Sequence, residues 1–108
     1  MNEATETQVD FHCLYDDLVD VQKLIPHPRN PNTHGDAQIE LLRRLITHHG
    51  WRSPVVVSNL SGFVVSGHGR MMAAQGMFDQ RVPVVHQDFE TEADETAHLI
   101  ADNQIAEL

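Results

Sequence analysis

The stretch VVSGHGRMMAAQ at positions 64–75 decides how this chain folds. It opens with β-branched residues typical of a strand and closes with residues typical of a helix. Backbone N–H groups at a helix start lack partners, and the helix dipole adds positive charge there. Gly67 and Gly69 would let backbone approach a ligand closely, and Arg70 could bind an anion through several donors. The stretch therefore predicts a strand, a turn and a helix with an anion site at the junction, although a plain tight turn with a solvent-facing arginine fits the pattern equally well.

The segments before this stretch predict a strand, a helix and a hairpin. The run 18–25 alternates closely enough for a first strand. A helix should begin at Asp36, a good N-cap residue, and end at Gly50, a good C-cap residue. The runs 54–57 and 63–65 are rich in valine and flank a turn-like Asn-Leu-Ser-Gly, which indicates a β-hairpin.

The segments after Gly67 predict a helix, a strand and a closing helix. The second helix should run from about Gly69 to Phe78, and a strand should follow at 82–85. Pro83 favours an edge position or a strand start, because proline lacks a backbone donor. Thr91 should cap a last helix with one apolar face, made of Ala93, Ala97, Ile100, Ala101, Ile105 and Leu108. The predicted class is a small mixed α/β domain with a compact mixed sheet and about three helices.

Length and composition indicate one domain. With 108 residues, of which 41% are hydrophobic, the chain can bury one small core. We expect a loose N-terminal arm over 1–17 and the domain over 18–108. There is no apolar run near 18 residues and the N-terminus is acidic, so the sequence predicts a cytoplasmic protein without a membrane partner. A single cysteine, Cys13, excludes an intrachain disulfide.

The charge is distributed unevenly. The net charge is −9, yet all seven basic residues lie between Lys23 and Arg81, where only three acids accompany them. An acidic chain is poorly suited to broad nucleic-acid binding, which depends on neutralising many phosphates. A local anion site in the central region stays compatible with this pattern.

Two further segments carry groups suited to a nucleotide. The run PHPRNPN at 26–32 cannot be helical because of its three prolines, and it presents Arg29 and Asn30 on an extended loop. Asp102 and Asn103, on the last predicted helix, offer a carboxylate and an amide of the kind that magnesium and a nucleotide use.

The order of these motifs resembles the superfamily of ParB N-terminal domains and sulfiredoxin. Its elements are an apolar strand with a Pro-Arg loop, a helix ending in glycine, the strand GWRSPVVV at 50–57, a glycine-arginine turn into a helix, and an acid-Asn pair. The resemblance covers roughly 18–108. It is nearest to ParB-like domains of phages and bacteria, some of which are joined to DNA methyltransferases.

The resemblance implies a nucleotide site. In ParB the corresponding segments form a pocket for CTP and magnesium, and in the resembling free-serine kinase and sulfiredoxin the same turn holds ATP phosphates. Carried over by position, the nucleotide-binding residues here would be Arg29, Asn30, Gly67, His68, Gly69, Arg70 and Asn103. Asp102 stands where ParB has glutamate and would hold Mg²⁺.

Departures from the family pattern limit what the resemblance implies. Sulfiredoxin carries its reactive cysteine in the turn, whereas the cysteine here is Cys13, so a sulfiredoxin reductase activity is not expected. His68 and Gly69 replace an acid and an arginine of ParB, which leaves the choice between CTP and ATP open. DNA would be reached only indirectly or through another domain or partner, and a homodimer is left open.

His68 is the candidate catalytic residue, because beside a phosphate it could donate or accept a proton. For the other histidines a surface or core position is the better interpretation. A metal site assembled from His27, His34 and His68 is an alternative that the sequence leaves open.

Two functions from different classes follow. The first is a domain that binds a nucleoside triphosphate with Mg²⁺, as a slow NTPase switch or a phosphotransferase, in DNA maintenance, partitioning or modification in bacteria or phage-infected hosts. The second is a noncatalytic ParB-like module that binds DNA or protein. A nuclease is less favoured, because no tight acidic metal cluster is evident and the overall charge disfavours DNA capture.

Overall fold

The computed structural model describes residues 8–30, 34–77 and 80–105, without the side chains of 103–105. In chain order the elements are β1 (Asp17–Asp20), a short 3-10 helix (Val21–Lys23), α1 (Asp36–His49), β2 (Val55–Ser58), β3 (Val64–Ser66), α2 (His68–Gln75), β4 (Arg81–Gln87) and α3 (Glu92–Ile105). The expected mixed α/β class is confirmed. Among these elements, no helix has the length and apolar character to cross a bilayer.

The sheet is mixed, with strand order β1-β4-β2-β3. The two central strands, β2 and β4, run parallel, and each edge strand runs antiparallel to its neighbour. Parallel neighbours need a crossover connection, and β3 with α2 provides it between β2 and β4. The predicted hairpin and the strand-turn-helix of 64–75 are therefore the crossover that builds the centre of the sheet.

The core lies between the sheet and the helices α1 and α2. α1 packs against α2, α2 lies against the 3-10 helix and β2, and α3 lies against β3. The largest fully buried side chains include Trp51, Met71, Val55 and Val64, and the tryptophan directly follows the C-cap of α1. Burial of such side chains stabilises the fold by about 1.5–3 kcal/mol each.

The predicted strand over 18–25 is wrong in its second half. β1 ends at Asp20, whose carboxylate accepts a hydrogen bond from the Gln22 N–H at 2.9 Å and caps the 3-10 helix. The chain then reaches the opposite edge of the sheet, where the Val64 N–H donates to the Ile25 carbonyl and Pro26 pairs with Val64. The 3-10 helix thus carries the chain from one edge of the sheet to the other, directly before the Pro-Arg loop.

The expected edge or strand-start position of Pro83 is also wrong, because β4 is a central strand and Pro83 is its third residue. Proline is tolerated there for two reasons. In an antiparallel pair of strands, residue pairs with and without backbone hydrogen bonds alternate. Because the Val21 N–H donates to the Gln80 carbonyl, this alternation places Pro83, which lies opposite Leu18, in a pair without hydrogen bonds to β1. The parallel pairing with β2 starts only at Val84, opposite Val55.

The helices agree with the prediction in number, and they differ in their ends and faces. α1 spans Asp36–His49 with Gly50 as C-cap, as expected, although Gly35 takes the N-cap position. α2 begins one residue earlier than expected and ends at Gln75, whereas Phe78 lies outside the described residues. The Thr91 hydroxyl accepts from the Asp94 N–H at 3.1 Å, as a cap should.

The apolar face predicted for α3 is not the face that packs on the domain. The side chains of Ala93, Ala97, Ile100 and Ala101 are exposed, and those of Ile105 and Leu108 lie outside the described residues. The face that packs on the domain carries Glu95 and Leu99, both buried, and Asp102, which is half-buried.

Residues 8–16, within the expected loose arm, lie against the domain. The Trp51 N–H donates to the Asp10 carbonyl at 2.9 Å, and the His12 N–H donates to the Trp51 carbonyl at 2.8 Å. The Gln8 side chain donates to the Arg81 backbone carbonyl and accepts from the Arg81 backbone N–H. The packed part of the chain therefore includes residues before Leu18, while residues 1–7 lie outside the described part.

This N-terminal contact makes Gly50 indispensable. Its φ of 78° and ψ of 179° belong to a region that only glycine adopts readily. A Cβ there would also strike the His12 ring and lie 2.9 Å from the Asp10 carbonyl oxygen.

We expect Gly50→Ala to lower the free energy of unfolding by about 3 kcal/mol, since backbone strain adds to a backbone clash. Urea denaturation measures the difference. Gly62→Ala is the matched control, because Gly62 has a φ of 83° and open space around its Cα, so only about 1–2 kcal/mol of backbone strain is expected. Equal losses in the two variants would contradict the proposed clash.

Candidate functional site

The Pro-Arg loop is held against the domain by His27. The His27 ring is buried and meets Phe63 edge to face, with ring centroids 5.3 Å apart. The backbone N–H of His27 donates to Nε2 of His68 at 3.1 Å. The Asn30 N–H donates to the His27 carbonyl at 3.1 Å and closes the turn. Arg29, between them, is exposed.

The hydrogen bonds define the tautomer of His27. The Arg29 backbone N–H donates to Nδ1 of His27 at 3.0 Å, so this nitrogen carries no proton. The ring proton of the neutral form is therefore on Nε2, which lies 2.8 Å from Oε2 of Glu95 and donates to it.

Glu95 is a buried carboxylate with three donors. Besides His27, the hydroxyl of Ser58 donates to Oε1 at 2.5 Å and that of Ser61 donates to Oε2 at 2.8 Å. Burial acts to raise the pKa of Glu95, but the hydrogen bonds from Ser58, Ser61 and His27 outweigh it and leave the pKa lowered. Glu95 is thus charged at neutral pH and joins α3, the β2–β3 turn and the Pro-Arg loop.

His68, the first residue of α2, is also buried. Its Nε2 accepts from His27, which leaves the proton of the neutral ring on Nδ1. Nδ1 lies near the Val64 backbone and makes no hydrogen bond of normal geometry. Burial, together with His27 and His34, lowers the pKa of His68 to about 4. The ring is therefore neutral at pH 7 and holds the Pro-Arg loop, while proton transfer by His68 stays a prediction.

Among the described residues, Arg70 and Arg29 line different cavities. Its guanidinium folds back over Gly67 and donates to the Pro54 carbonyl at 3.2 Å. It lines a cavity of about 390 Å³ beside Leu42, Leu45 and Ile46 of α1. Arg29 lines a separate recess of about 150 Å³ with His27, Phe63, Ser61 and Glu95.

The two glycines of the turn have packing roles. Gly67 has a φ of 90°, and a Cβ there would lie 2.9 Å from Nη2 of Arg70. A Cβ on Gly69 would lie 2.9 Å from Leu42 Cδ1 and 3.1 Å from the His34 ring. Gly67 thus leaves room for the Arg70 side chain, and Gly69 lets α1 and His34 approach the start of α2.

Asp102 reaches the turn from α3. Its Oδ1 accepts from the Ser66 hydroxyl at 3.0 Å, and its charge acts to raise the pKa of His68, against the larger opposing effects. The side chain of Asn103, the next predicted site residue, lies outside the described part.

The structure brings His27 and His34 close to His68, as the alternative metal hypothesis required. Within the described ranges, however, no group of three or more His, Cys, Asp or Glu side chains could hold a metal ion. A hydrogen bond joins His34 Nδ1 and Gln38 Oε1 at 3.0 Å, and His27 is engaged with Glu95.

The sequence reasoning missed Glu95, Ser58 and Ser61. The signal for Glu95 was present, because Glu95, Leu99 and Asp102 are spaced by four and three residues and so share one helix face.

Comparison with known proteins places the chain in a family. The family model of the ParB N-terminal domain matches residues 3–103, so the chain belongs to the ParB N-terminal domain family. Over 65 residues it is 37% identical to the ParB-like nuclease domain-containing protein YnaK of Escherichia coli (strain K12), covering 60% of this chain and 74% of that protein.

A solved structure supports the same fold. The C-terminally truncated chromosome-partitioning protein ParB from Caulobacter crescentus, complexed with CTP-gamma-S, aligns with a TM-score of 0.65 at 24% identity. The alignment covers 85% of this chain, which spans only 54% of that ParB chain.

The pKa of His68 makes stability depend on pH. In the unfolded chain the His68 ring takes up a proton near pH 6.5, whereas in the folded domain this ring stays neutral down to about pH 4. Stability is therefore lost as the pH falls below 6.5, by about 2 kcal/mol between pH 7 and pH 5. Urea denaturation at both pH values measures this loss. In His68→Gln, which keeps an acceptor for His27, the loss should shrink by that amount; an unchanged loss would contradict the assignment to His68.

Proposed function

We propose that this domain binds a nucleoside triphosphate together with Mg²⁺. The observation that carries the proposal is the meeting of three segments, far apart in sequence, around His68 at the start of α2. In the Pro-Arg loop, the backbone N–H of His27 donates a hydrogen bond to His68. Asp102 of α3 lies close enough to His68 to influence its pKa. A cation, a helix start and a carboxylate are the groups that a phosphate chain with Mg²⁺ requires. Membership of the ParB family, which includes a ParB complexed with CTP-gamma-S, supports the same conclusion.

In this proposal the exposed Arg29 makes the first contact with phosphate, and the start of α2 receives it. Asn30, Gly67, Gly69, Arg70 and Asn103 complete the nucleotide site, and His68 is the candidate for proton transfer. The binding domain is proposed to extend over 18–108, joined by the packed residues 8–17. Slow hydrolysis or phosphate transfer would follow binding.

Asp102 fits a magnesium ligand. A carboxylate oxygen is the donor that Mg²⁺ prefers, and the ion commonly uses one or two carboxylates together with substrate phosphates. The Ser66 hydroxyl fixes the Asp102 side chain through Oδ1. Bound Mg²⁺ would neutralise phosphate charge and orient the chain of phosphates.

A noncatalytic module is the second candidate, and one observation favours it. Arg70 is hydrogen-bonded to Pro54, and α1 with His34 covers Gly69, so the turn already has partners within the chain. A domain that keeps the fold and binds protein or DNA would need no phosphate at this turn.

Calorimetric titration with CTP, ATP and GTP, with and without Mg²⁺, separates the two candidates, and phosphate release measures turnover.

We expect Arg29→Ala to weaken binding of the best nucleotide about tenfold or more, through loss of a charge-assisted hydrogen bond, without lowering the melting temperature. Arg44→Ala, which removes an exposed arginine from α1, is the matched control and should bind as the wild type does. Binding of no nucleotide at millimolar concentration would favour the module, and equal affinity of Arg29→Ala and wild type would remove Arg29 from the site.

Asp102→Asn tests the metal. The amide keeps an acceptor for Ser66 but loses the charge that attracts Mg²⁺, so we expect the Mg²⁺-dependent gain in affinity to fall while binding without Mg²⁺ persists. Titrations with and without the ion measure both quantities. Asp94→Asn, an exposed position on the same helix, controls for the change in net charge. A full Mg²⁺ dependence in Asp102→Asn would contradict the role of Asp102.

A further inference from the structure

The Pro-Arg loop depends on a side chain that lies outside the predicted motifs. Glu95 is on α3, 66 positions from Arg29, and only 3% of its surface is exposed. Its Oε2 accepts from His27 and Ser61, while its Oε1 accepts from Ser58. The carboxylate therefore binds the loop and the β2–β3 turn through Oε2, and the end of β2 through Oε1.

His27 transmits this contact to Arg29. The ring is held at both nitrogens, by Glu95 on one side and by the Arg29 N–H on the other, and its own backbone N–H is held by His68. Two directed hydrogen bonds of the ring and its edge contact with Phe63 leave the ring one orientation, and the backbone N–H bond to His68 fixes the chain beside it.

The tautomer is the sensitive part of this chain of contacts. Glu95, which accepts from Nε2, and the Arg29 backbone N–H, which donates to Nδ1, favour the same tautomer. Without an acceptor beside Nε2, the Arg29 hydrogen bond alone holds this tautomer, and a proton that moved to Nδ1 would face the Arg29 N–H across 3.0 Å. Two donors then oppose each other, and the backbone of Arg29 must move away.

We propose that Glu95 is a positioning residue of the Pro-Arg loop: it fixes the tautomer and orientation of His27 and thereby the backbone at Arg29. Its effect on nucleotide affinity rests on the function proposed above. The positioning itself is a property of the protein without ligand and can be measured there.

The test compares variants that keep or remove an acceptor for His27. Glu95→Gln retains a carbonyl oxygen, whereas Glu95→Met and Glu95→Ala retain no polar atom at different side-chain volumes. NMR of the ¹⁵N-labelled protein shows which ring nitrogen of His27 carries the proton, and hydrogen exchange reports the protection of the Arg29 amide. Asp94→Asn, which removes an exposed carboxylate one position away, is the control.

We expect the wild type, Glu95→Gln and Asp94→Asn to keep the proton on Nε2. Glu95→Met or Glu95→Ala should lose this preference, and exchange at Arg29 should become about tenfold faster, as for loss of one hydrogen bond. Affinity for the best nucleotide should fall about tenfold in the same variants and persist in Glu95→Gln.

An unchanged tautomer and unchanged Arg29 exchange in a folded Glu95→Met or Glu95→Ala would overturn the proposal. So would a Glu95→Gln variant as impaired as these two, or failure of both to fold while Glu95→Gln folds, because either outcome assigns Glu95 a purely structural role. If the wild type binds no nucleotide, the proposed function fails, and the tautomer and exchange measurements still decide the role of Glu95.

Discussion

A carboxylate can stay charged inside a small domain only if donors are fixed around it, and Glu95 meets this requirement with three. Ser58 ends β2, Ser61 lies in the β2–β3 turn, and His27 lies in the loop that follows the pairing of Pro26 with Val64 at the same edge of the sheet. Because the buried carboxylate must keep these three donors, α3, the β2–β3 hairpin and the Pro-Arg loop are held in one arrangement. Removal of any donor leaves a buried charge poorly compensated, which is more costly than the loss of one neutral hydrogen bond.

α3 gains its importance from this constraint. Its inward face is unusual for a helix, because it presents Glu95 and Asp102 on either side of Leu99. The first carboxylate holds the loop that carries Arg29, and the second contacts the strand that ends in the glycine-arginine turn. One rigid helix therefore sets the distance between the two halves of the candidate site, and it does so through polar contacts rather than through an apolar stripe.

The sequence was informative where local chemistry decides structure. The capping glycine at 50, the valine runs and the strand-turn-helix at 64–75 predicted α1, the hairpin and α2 correctly, because each signal acts within a few residues. The position of Pro83 and the packing face of α3 did not follow from the sequence, for a shared reason. Pro83 is tolerated because of its pairing with β1 and β2, and Glu95 can be buried because Ser58 and Ser61 donate to it. These partners are distant in sequence, so a local sequence pattern does not reveal them.

The glycine-arginine turn shows the same ambiguity at the site itself. The residues that suggest a phosphate cradle also satisfy packing, since Gly67 leaves room for Arg70 and Gly69 leaves room for α1. One N–H of the Arg70 guanidinium is already bonded to the Pro54 carbonyl, and this bond holds the side chain against its own chain. Arg29 lies exposed on its loop, whereas Arg70 is half-buried. An incoming anion would therefore meet the Pro-Arg loop first, and the geometry that Glu95 imposes through His27 would be set before the turn takes part.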